Sequence, residues 1–306
     1  MKVLITGGAG YVGTKLVKQL AAMEAVSKIL VYDNLSRGNY NLFLGEPITN
    51  GHKITFIQGD ILNSRLLRKT LEGVDVVYHL AAKVTTPFAN TDPHFYEQIN
   101  HWGTAELVYA LEDSGVQQLI HLSSTSVYGS SEAEVNEQSP LNPRTFYGVA
   151  KMRAEEHVQR LVARDQAVII RSGNVYGYSK SMRFDAVINK FVFETNFYNR
   201  ITIQGSGRQC RAFIHVNDLV YNLAQLLNHP VPAGVYNMVA KNLSVLDIVD
   251  ILKGLRPALE FLFVDQHLEL RNITVDTDLK LAAFLPLAVP KQLRDELREF
   301  LATFTF

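Results

Sequence analysis

Short apolar runs alternate with longer amphipathic segments through the first half of the chain. Residues 2–5 predict a buried strand, and residues 11–22 predict a helix that presents Val12, Leu16 and Leu20 on one face. Further strands are predicted at 28–32, 54–57, 74–79, 118–122 and 167–170, with long helices at about 93–114 and 147–164. This alternation predicts an α/β fold, in which helices cover both faces of a parallel sheet.

Beyond about residue 171 the alternation weakens, which predicts a smaller lobe of mixed α/β structure. We expect one domain over residues 1–170, rejoined by residues 211–239, and a second lobe drawn from residues 171–306. Ligands of such sheets bind at the carboxyl ends of the strands. The residues at or just after predicted strand ends, which we therefore expect in one crevice, are Asp33, Asp60, Ala81, Ser124 and Asn174.

The turn between the first strand and the first helix carries the strongest chemical signal. Gly8-Ala9-Gly10-Tyr11-Val12-Gly13 fits the G-x-G-x-x-G pattern, and Asp33 follows Gly13 by 20 positions. Glycines let backbone N–H groups approach a pyrophosphate at a helix N-terminus, and the later carboxylate binds an adenosine ribose 2′-hydroxyl. The pattern predicts a Rossmann-type, doubly wound domain that binds a dinucleotide.

Asp33 also bears on which dinucleotide binds. A carboxylate at that position repels a 2′-phosphate, so NAD is favoured over NADP. Arg37 lies close by and is a candidate phosphate ligand, but a solvated loop arginine is the favoured interpretation.

Tyr147 and Lys151 form the candidate acid/base pair. They are four residues apart at the start of a predicted helix, so both side chains lie on one face. An ammonium beside a phenol favours the phenolate and lowers a tyrosine pKa that is ordinarily about 10. Hydroxyl side chains between Ser123 and Gly129 close the preceding strand, which supports a reactive site there.

Together these motifs resemble those of extended short-chain dehydrogenase/reductases of the nucleotide-sugar epimerase/dehydratase family. The resemblance covers roughly residues 1–240, in family order. The segments that carry it are Thr6 to Gly13, Asp33 to Ser36, Gly59 to Ile61, His79 to Ala82, Ser123 to Gly129, Tyr147-x-x-x-Lys151 and Arg211 to Val216.

The resemblance implies a role for each matching residue. Tyr147 would be the catalytic acid/base, Lys151 would tune it, and Ser124 would hydrogen-bond the reacting sugar oxygen. The implied cofactor contacts are Gly7, Gly10, Tyr11, Val12, Asp33, Asn34, Asp60, Ile61, Leu80, Ala81, Ala82, Tyr147 and Lys151. The implied substrate contacts besides Ser124 are Asn174, Arg211 and, from a poorer match, Arg271.

Two positions narrow the expected reaction. In the family's 4,6-dehydratases an Asp-Glu pair follows the catalytic hydroxyl, whereas Thr125 and Ser126 stand here. This favours an NAD-dependent epimerase, acting at C4 of a UDP-hexose through transient oxidation to a keto-sugar and hydride return. A 4-ketoreductase or dehydrogenase of the same family is the alternative. A non-catalytic NAD-binding sensor is a more remote alternative. Such proteins can discard the catalytic tyrosine and lysine, whereas this chain retains both, as Tyr147 and Lys151.

Composition bounds the other function classes. The chain has 30 Lys and Arg against 30 Asp and Glu, so no net charge attracts nucleic acid or an anionic membrane. No apolar stretch approaches the roughly 18 residues that span a bilayer, and the chain enters its first strand directly. We therefore expect a cytoplasmic protein.

The remaining expectations concern metals and assembly. The nine histidines show no metal-ligand spacing, so no metal site is predicted. The resemblance implies a homodimer that pairs the helices predicted at 93–114 and 147–164.

Overall fold

The computed structural model describes residues 1–38, 40–84, 93–265 and 272–306. Its strands, in chain order, are β1 (Lys2–Thr6), β2 (Lys28–Asp33), β3 (Ile54–Gln58), β4 (Val76–His79), β5 (Gln118–Ser124), β6 (Ala167–Ser172), β7 (Asn174–Tyr176), β8 (Arg200–Gln204), β9 (Cys210–His215), β10 (Gly234–Met238), β11 (Lys241–Ser244) and β12 (Glu260–Val264). Its α-helices are α1 (Tyr11–Ala21), α2 (Ser64–Thr70), α3 (Pro93–Tyr96), α4 (Gly103–Glu112), α5 (Phe146–Val162), α6 (Val187–Phe197), α7 (Val216–Gln225), α8 (Val245–Leu255) and α9 (Leu293–Leu301).

Seven of the strands form the central sheet, in the order β10-β6-β5-β4-β1-β2-β3, and neighbouring strands run parallel. The chain winds outward from β1 in one direction to β3 and in the other through β4, β5 and β6. This order confirms the predicted doubly wound sheet. It also puts the ligand-binding crevice at the carboxyl ends of the strands on either side of β1.

Side chains of the sheet point alternately into two apolar layers. On β1, Val3 and Ile5 pack into the layer that includes Leu16 of α1 and Leu219 of α7. Leu4 faces the opposite layer, which is formed largely by α2, α4 and α5. Because successive strand residues face opposite sides, the near-continuous apolar runs of the sequence are those of strands buried on both faces.

Several predicted boundaries differ from the structure, most clearly those of β5, β6 and the helix predicted at 93–114. Strands β5 and β6 each extend two residues beyond the predicted ends, because Ser123 and Ser124 still pair with Arg171 and Ser172 after the apolar runs have ended. The helix predicted at 93–114 consists of three segments. Helix α3 is followed by a π-helical segment (Glu97–Trp102) and then by α4, which ends at Glu112.

The second lobe contains two small sheets. Strands β11, β9 and β7 form one, and β12 pairs with β8 in the other. Helices α6, α8 and α9 share an apolar core there, with Val192, Ile248 and Leu297 fully buried. Within residues 211–239, β10 joins the central sheet and α7 packs on α1, whereas β9 belongs to the three-stranded sheet. The division of the chain into two domains stays a prediction.

None of the helices in the described parts of the chain is long and apolar enough to cross a membrane.

Candidate active site

A cleft of about 1140 Å³ opens where the central strands end and the second lobe begins. It brings together most of the predicted site residues: Gly7, Gly10, Tyr11, Val12, Asp33, Asn34, Ile61, Leu80, Ala81, Ala82, Ser124, Tyr147, Lys151, Asn174 and Arg211. Asp60 is exposed and does not contribute to this lining. Arg271 falls outside the described residues.

The glycine-rich turn forms the floor of one end of the cleft. Gly7 has φ +72°, and its N–H donates a 2.8 Å hydrogen bond to the carbonyl oxygen of Tyr32. A Cβ on Gly7 would lie 2.6 Å from the backbone nitrogen of Ala81, and one on Gly13 would lie 2.4 Å from the carbonyl oxygen of Gly7. Only bare backbone fits here. The turn therefore meets the steric requirement of a dinucleotide pyrophosphate at the N-terminus of α1.

The Asp33 carboxylate is fixed at the end of β2. It accepts hydrogen bonds from the backbone N–H of Ala9 at 3.0 Å and of Leu35 at 2.9 Å, so it joins the glycine-rich turn to the next loop. Asn34 Nδ2 donates to Asp60 Oδ2 at 2.8 Å, which links Asp60 to the loop that follows β2. Arg37 is exposed, yet its guanidinium donates to the carbonyl oxygen of Val84 and lines the cleft.

The candidate acid/base pair lies on α5, against the end of β5. Thr145 caps this helix by accepting a 3.1 Å hydrogen bond from the N–H of Gly148, so α5 begins at Phe146. Lys151 Nζ donates a 2.7 Å hydrogen bond to the carbonyl oxygen of Leu122 on β5. The Tyr147 ring is 8% exposed and contacts Tyr96 edge to face, with 6.1 Å between centroids.

Ser124 ends β5 and caps the 3₁₀ turn formed by Thr125–Tyr128. Its Oγ accepts a 3.2 Å hydrogen bond from the N–H of Ser126, which leaves the hydroxyl proton of Ser124 to a ligand oxygen. Thr125 and Ser126 are buried in the turn, and Ser126 Oγ makes no hydrogen bond to any described residue. Hydroxyls at these two positions cannot perform carboxylate acid/base chemistry near neutral pH.

Burial governs the charge state around Lys151. Burial lowers the pKa of Lys151 to about 8, and the nearby Glu155 carboxylate opposes the decrease. Burial lowers the pKa of His79 to about 3, and the pKa of His121 is lowered well below its ordinary value for the same reason. Near neutral pH the site thus contains a protonated lysine beside two neutral imidazoles.

Arg211 brings positive charge to the other end of the cleft. Its Nε is buried and has no hydrogen-bond partner among the described residues, and no ion pair of the described chain includes it. Burial lowers the pKa of Arg211, without an opposing carboxylate. Asn174 lies beside it and donates to the carbonyl oxygen of Ala212 at 2.9 Å. A desolvated guanidinium of this kind calls for an anionic ligand.

Hydrogen bonds tie the second lobe to the glycine-rich turn. Ser179 Oγ donates to the carbonyl oxygen of Tyr11 and Ser181 Oγ donates to that of Ala9, both at 2.8 Å. The Tyr11 hydroxyl donates in return to the carbonyl oxygen of Gly177. These bonds hold residues 177–181 over the turn and narrow that end of the cleft.

Sequence reasoning missed the part of the lining that the second lobe supplies. An ion pair between Arg183 and Asp185, at 2.8 Å, faces the cleft, and further polar lining comes from Glu194, Thr202, Gln204 and Gln209. No local motif marks these residues. It also missed the buried pair of Glu155 and Arg171, for which the only sequence signal is an acid four residues after Lys151.

A family model described as the NAD dependent epimerase/dehydratase family matches residues 3–239. The chain belongs to this family. Its membership confirms the predicted resemblance and the predicted NAD cofactor, since members of the NAD-dependent epimerase/dehydratase family use NAD.

Known members of the family show how its chemistry varies. A mouse (Mus musculus) dTDP-D-glucose 4,6-dehydratase is 33% identical over 244 residues, 78% of this chain and 67% of the relative. A putative UDP-glucose 4-epimerase of Methanocaldococcus jannaschii is 31% identical over 261 residues, 82% of this chain and 81% of the relative. Epimerases and dehydratases are thus similarly close in sequence.

A solved structure extends the likeness to the whole fold. A tyrosine-to-phenylalanine mutant of the UDP-glucuronic acid 4-epimerase of Bacillus cereus, in complex with UDP-4-deoxy-4-fluoro-glucuronic acid and NAD, superposes with a TM-score of 0.87 at 27% identity. The match covers 99% of this chain and 98% of that one, so it includes the second lobe. Within the described ranges, no group of three or more His, Cys, Asp or Glu side chains is placed to hold a metal ion.

Proposed function

We propose that this member of the family is an NAD-dependent nucleotide-sugar epimerase that inverts C4 of a UDP-hexose. One observation carries the proposal. The cleft gathers Ser124, Tyr147 and Lys151, while hydroxyls rather than carboxylates follow Ser124 at positions 125 and 126. Epimerisation needs one acid/base group and a redox cofactor, whereas dehydration also needs groups that expel water from the sugar.

The proposed catalytic roles follow from the geometry of these three side chains. Tyr147 accepts the proton of the C4 hydroxyl and later returns it. Ser124 donates its hydroxyl proton to the same sugar oxygen, because its Oγ already accepts from Ser126. Lys151, held against Leu122, favours the phenolate of Tyr147. NAD, when bound in the cleft, would supply the acceptor and donor of the hydride exchanged with the sugar carbon.

Other residues of the cleft are proposed to bind and orient the two ligands. The turn residues Gly7, Gly10, Tyr11 and Val12 hold the NAD pyrophosphate, while Asp33 and Asn34 bind the adenosine ribose. Asp60 and Ile61 flank the adenine, and residues 80–82 border the middle of the cofactor. Arg211 and Asn174 hold the sugar-nucleotide diphosphate, for which a planar guanidinium is well suited. Arg271 stays a further candidate for that anion.

Deuterium incorporation tests the reaction type. In D₂O an epimerase gives a C4 epimer whose C4 hydrogen remains protium, because the hydride that leaves is the one that returns. A dehydratase gives a dehydrated keto-sugar, and a reductase or dehydrogenase changes the NADH concentration in proportion to product. Either result would contradict the proposal.

Two variants locate the activity in the cleft. Tyr147→Phe should lower the turnover number at least ~100-fold, which is the usual contribution of an acid/base group. Tyr221→Phe, on the partly exposed face of α7, is the matched control and should retain wild-type activity. An unchanged rate in Tyr147→Phe would exclude Tyr147 as the acid/base group.

We also propose a homodimer. Trp102 is 52% exposed beside α4, and its ring lies 6.4 Å from that of His157 on α5, so an aromatic contact joins the two helices at the surface. A second copy would cover it. Light scattering should give twice the chain mass for the wild type and the single mass for Trp102→Glu.

The cytoplasm stays our proposed location.

A further inference from the structure

A buried ion pair joins the candidate acid/base helix α5 to strand β6. Glu155 is one turn beyond Lys151 on α5, and Arg171 lies on β6. Glu155 is 3% exposed and Arg171 is 4% exposed. Arg171 Nη2 donates to Glu155 Oε2 at 2.7 Å, and Arg171 Nε donates to both carboxylate oxygens at 3.1 Å. The guanidinium therefore fixes the plane of the carboxylate.

The same carboxylate also bonds to the strand that carries Ser124. Ser123 Oγ donates to Glu155 Oε1, so Glu155 joins α5 to the residue next to Ser124. Arg171 is held in turn by the Tyr128 hydroxyl at 3.0 Å, and that hydroxyl donates to Asn237 Oδ1 at 2.7 Å. The network thus crosses β5, β6 and β10 beneath the cleft.

Four titratable groups face Lys151 from the elements packed around it: His79 of β4, His121 of β5, and Tyr147 and Glu155 of α5. His79 is fixed between the hydroxyls of Thr6 and Thr104, at 2.7 and 2.9 Å. Burial lowers the pKa of both imidazoles, which makes them neutral near pH 7. Of the four, Glu155 is the carboxylate, and it is paired with Arg171 at 2.7 Å.

We propose that Glu155 is a positioning residue that keeps Lys151 in its ammonium form and ties α5 to the strand end at Ser124, with Arg171 holding Glu155 in place. The proposal rests on the roles proposed above for Lys151 and Ser124. A purely structural ion pair would be replaceable by apolar side chains without any effect on Lys151. An electrostatic role requires the charge of Glu155 itself.

The titration of Lys151 tests this directly, without relying on turnover. The NAD-saturated protein is labelled with lysine carrying ¹³C at Cε, and the Lys151 signal is assigned by its loss in Lys151→Met. Its titration midpoint is then measured in the wild type and in three variants: Glu155→Gln, Arg171→Gln and Glu156→Gln. Glu156 is the matched control, because it is the adjacent, exposed carboxylate of the same helix.

The account predicts shifts in the same direction. Glu155→Gln should lower the midpoint by about one pH unit, the usual effect of losing a nearby opposite charge. Arg171→Gln should lower it by a smaller amount, since the buried carboxylate then loses the guanidinium that holds it in place and stabilises its charge. Glu156→Gln should leave it unchanged. Unfolding temperatures are measured alongside; if Glu155→Gln does not fold, the direction of the Arg171→Gln shift decides.

Equal midpoints in the wild type, Glu155→Gln and Arg171→Gln would overturn the proposal, as would a raised midpoint in either variant. The alkaline limb of the turnover number should move with the midpoint in each variant. If the wild type converts no nucleotide sugar, the proposed epimerase function fails while the titration still decides the role of Glu155. The two failures are therefore distinguishable.

Discussion

Lys151 Nζ lies 2.7 Å from the carbonyl oxygen of Leu122, two residues before the end of β5. This hydrogen bond fixes the ammonium group of helix α5 against the strand that presents Ser124. Since Tyr147 lies one turn earlier on the same helix, this contact between helix and strand helps to set the relative position of the three proposed catalytic groups.

Removing the ammonium should therefore remove most of the activity. Lys151→Met keeps a similar length and apolar packing, and we expect its turnover number to fall at least ~100-fold, because Tyr147 loses the charge that favours its phenolate. Steady-state kinetics with saturating NAD measures the effect. Lys18→Met, at an exposed position of α1, is the control and should keep the wild-type rate. A fall of less than threefold in Lys151→Met would contradict the role given to Lys151.

The same lysine predicts an alkaline limit to the activity. Its pKa is lowered to about 8, so the ammonium fraction falls as the pH rises through that value, and the turnover number should fall with it. An arginine stays protonated to a pH above ~12. In Lys151→Arg the turnover number should be lower than in the wild type at every pH, but it should not fall further as the pH rises through 8. A limb that persists in this variant would belong to another group.

The glycine-rich turn predicts a steric effect on cofactor binding. A Cβ at Gly13 would approach the carbonyl oxygen of Gly7 to 2.4 Å and the Cα of Gly8 to 2.6 Å, so Gly13→Ala must displace the turn. We expect its NAD affinity, measured by isothermal titration calorimetry, to fall at least ~10-fold, a cost of about 1.4 kcal/mol. Gly115→Ala is the matched control, since a Cβ there meets no atom within 4 Å. Equal affinities in the two variants would place the pyrophosphate elsewhere.

The unpaired guanidinium of Arg211 predicts a separate effect on the sugar nucleotide. Arg211→Met should raise the KM for that substrate at least ~10-fold, because a hydrogen bond to a charged group contributes about 1.5–3 kcal/mol. NAD affinity should be unchanged. The exposed neighbour Arg208 provides the control variant Arg208→Met. If Arg211→Met weakened the binding of NAD rather than that of the sugar nucleotide, the end of the cleft at Arg211 would have to be assigned to NAD.

Asp218 predicts a pH-dependent stability outside the cleft. Burial, with a smaller contribution from Glu296, raises the pKa of Asp218 to about 6. The folded state thus holds this proton more tightly than the unfolded chain. The associated stability is present below about pH 4, the ordinary aspartate pKa, and is lost as the pH rises through 6.

An uncharged side chain at this position should remove that loss. Asp218→Asn should gain stability relative to the wild type between pH 5 and pH 8, by about 1 kcal/mol once solvent screening of this half-buried group is allowed for. Urea unfolding at the two pH values measures the change. A difference that stays constant between them would show that Asp218 keeps its ordinary pKa.

Local patterns were sufficient for six of the seven strands of the central sheet, all but β10, and for much of the proposed site. The Gly7 to Gly13 turn, Asp33 and the Tyr147–Lys151 pair each lie in a short segment whose spacing reflects a direct geometric requirement. The parallel direction of these strands then follows from the alternation of strands and helices. These features needed no knowledge of distant contacts.

The remaining features depend on contacts between distant segments. Strand β9 follows an apolar run like that of a central strand, yet it pairs with β7 and β11. The lining residues Arg183 and Glu194 reach the cleft only because the second lobe packs over it. In the sequence, Glu155 resembles an ordinary acidic residue on a helix surface. Its partner Arg171 follows 16 residues later, and only the packing of α5 on β6 reveals the pair. No periodicity marks such pairs.

The central claim is tested most directly by proton NMR of the protein with a panel of UDP-, GDP- and dTDP-sugars. Each reaction contains a trace of NAD and no external reductant, and absorbance at 340 nm is followed in parallel. The account predicts that one UDP-hexose gives new anomeric signals that approach an equilibrium mixture, without net formation of NADH. Spectra that stay unchanged across the panel, or product that forms in proportion to NADH, would contradict it.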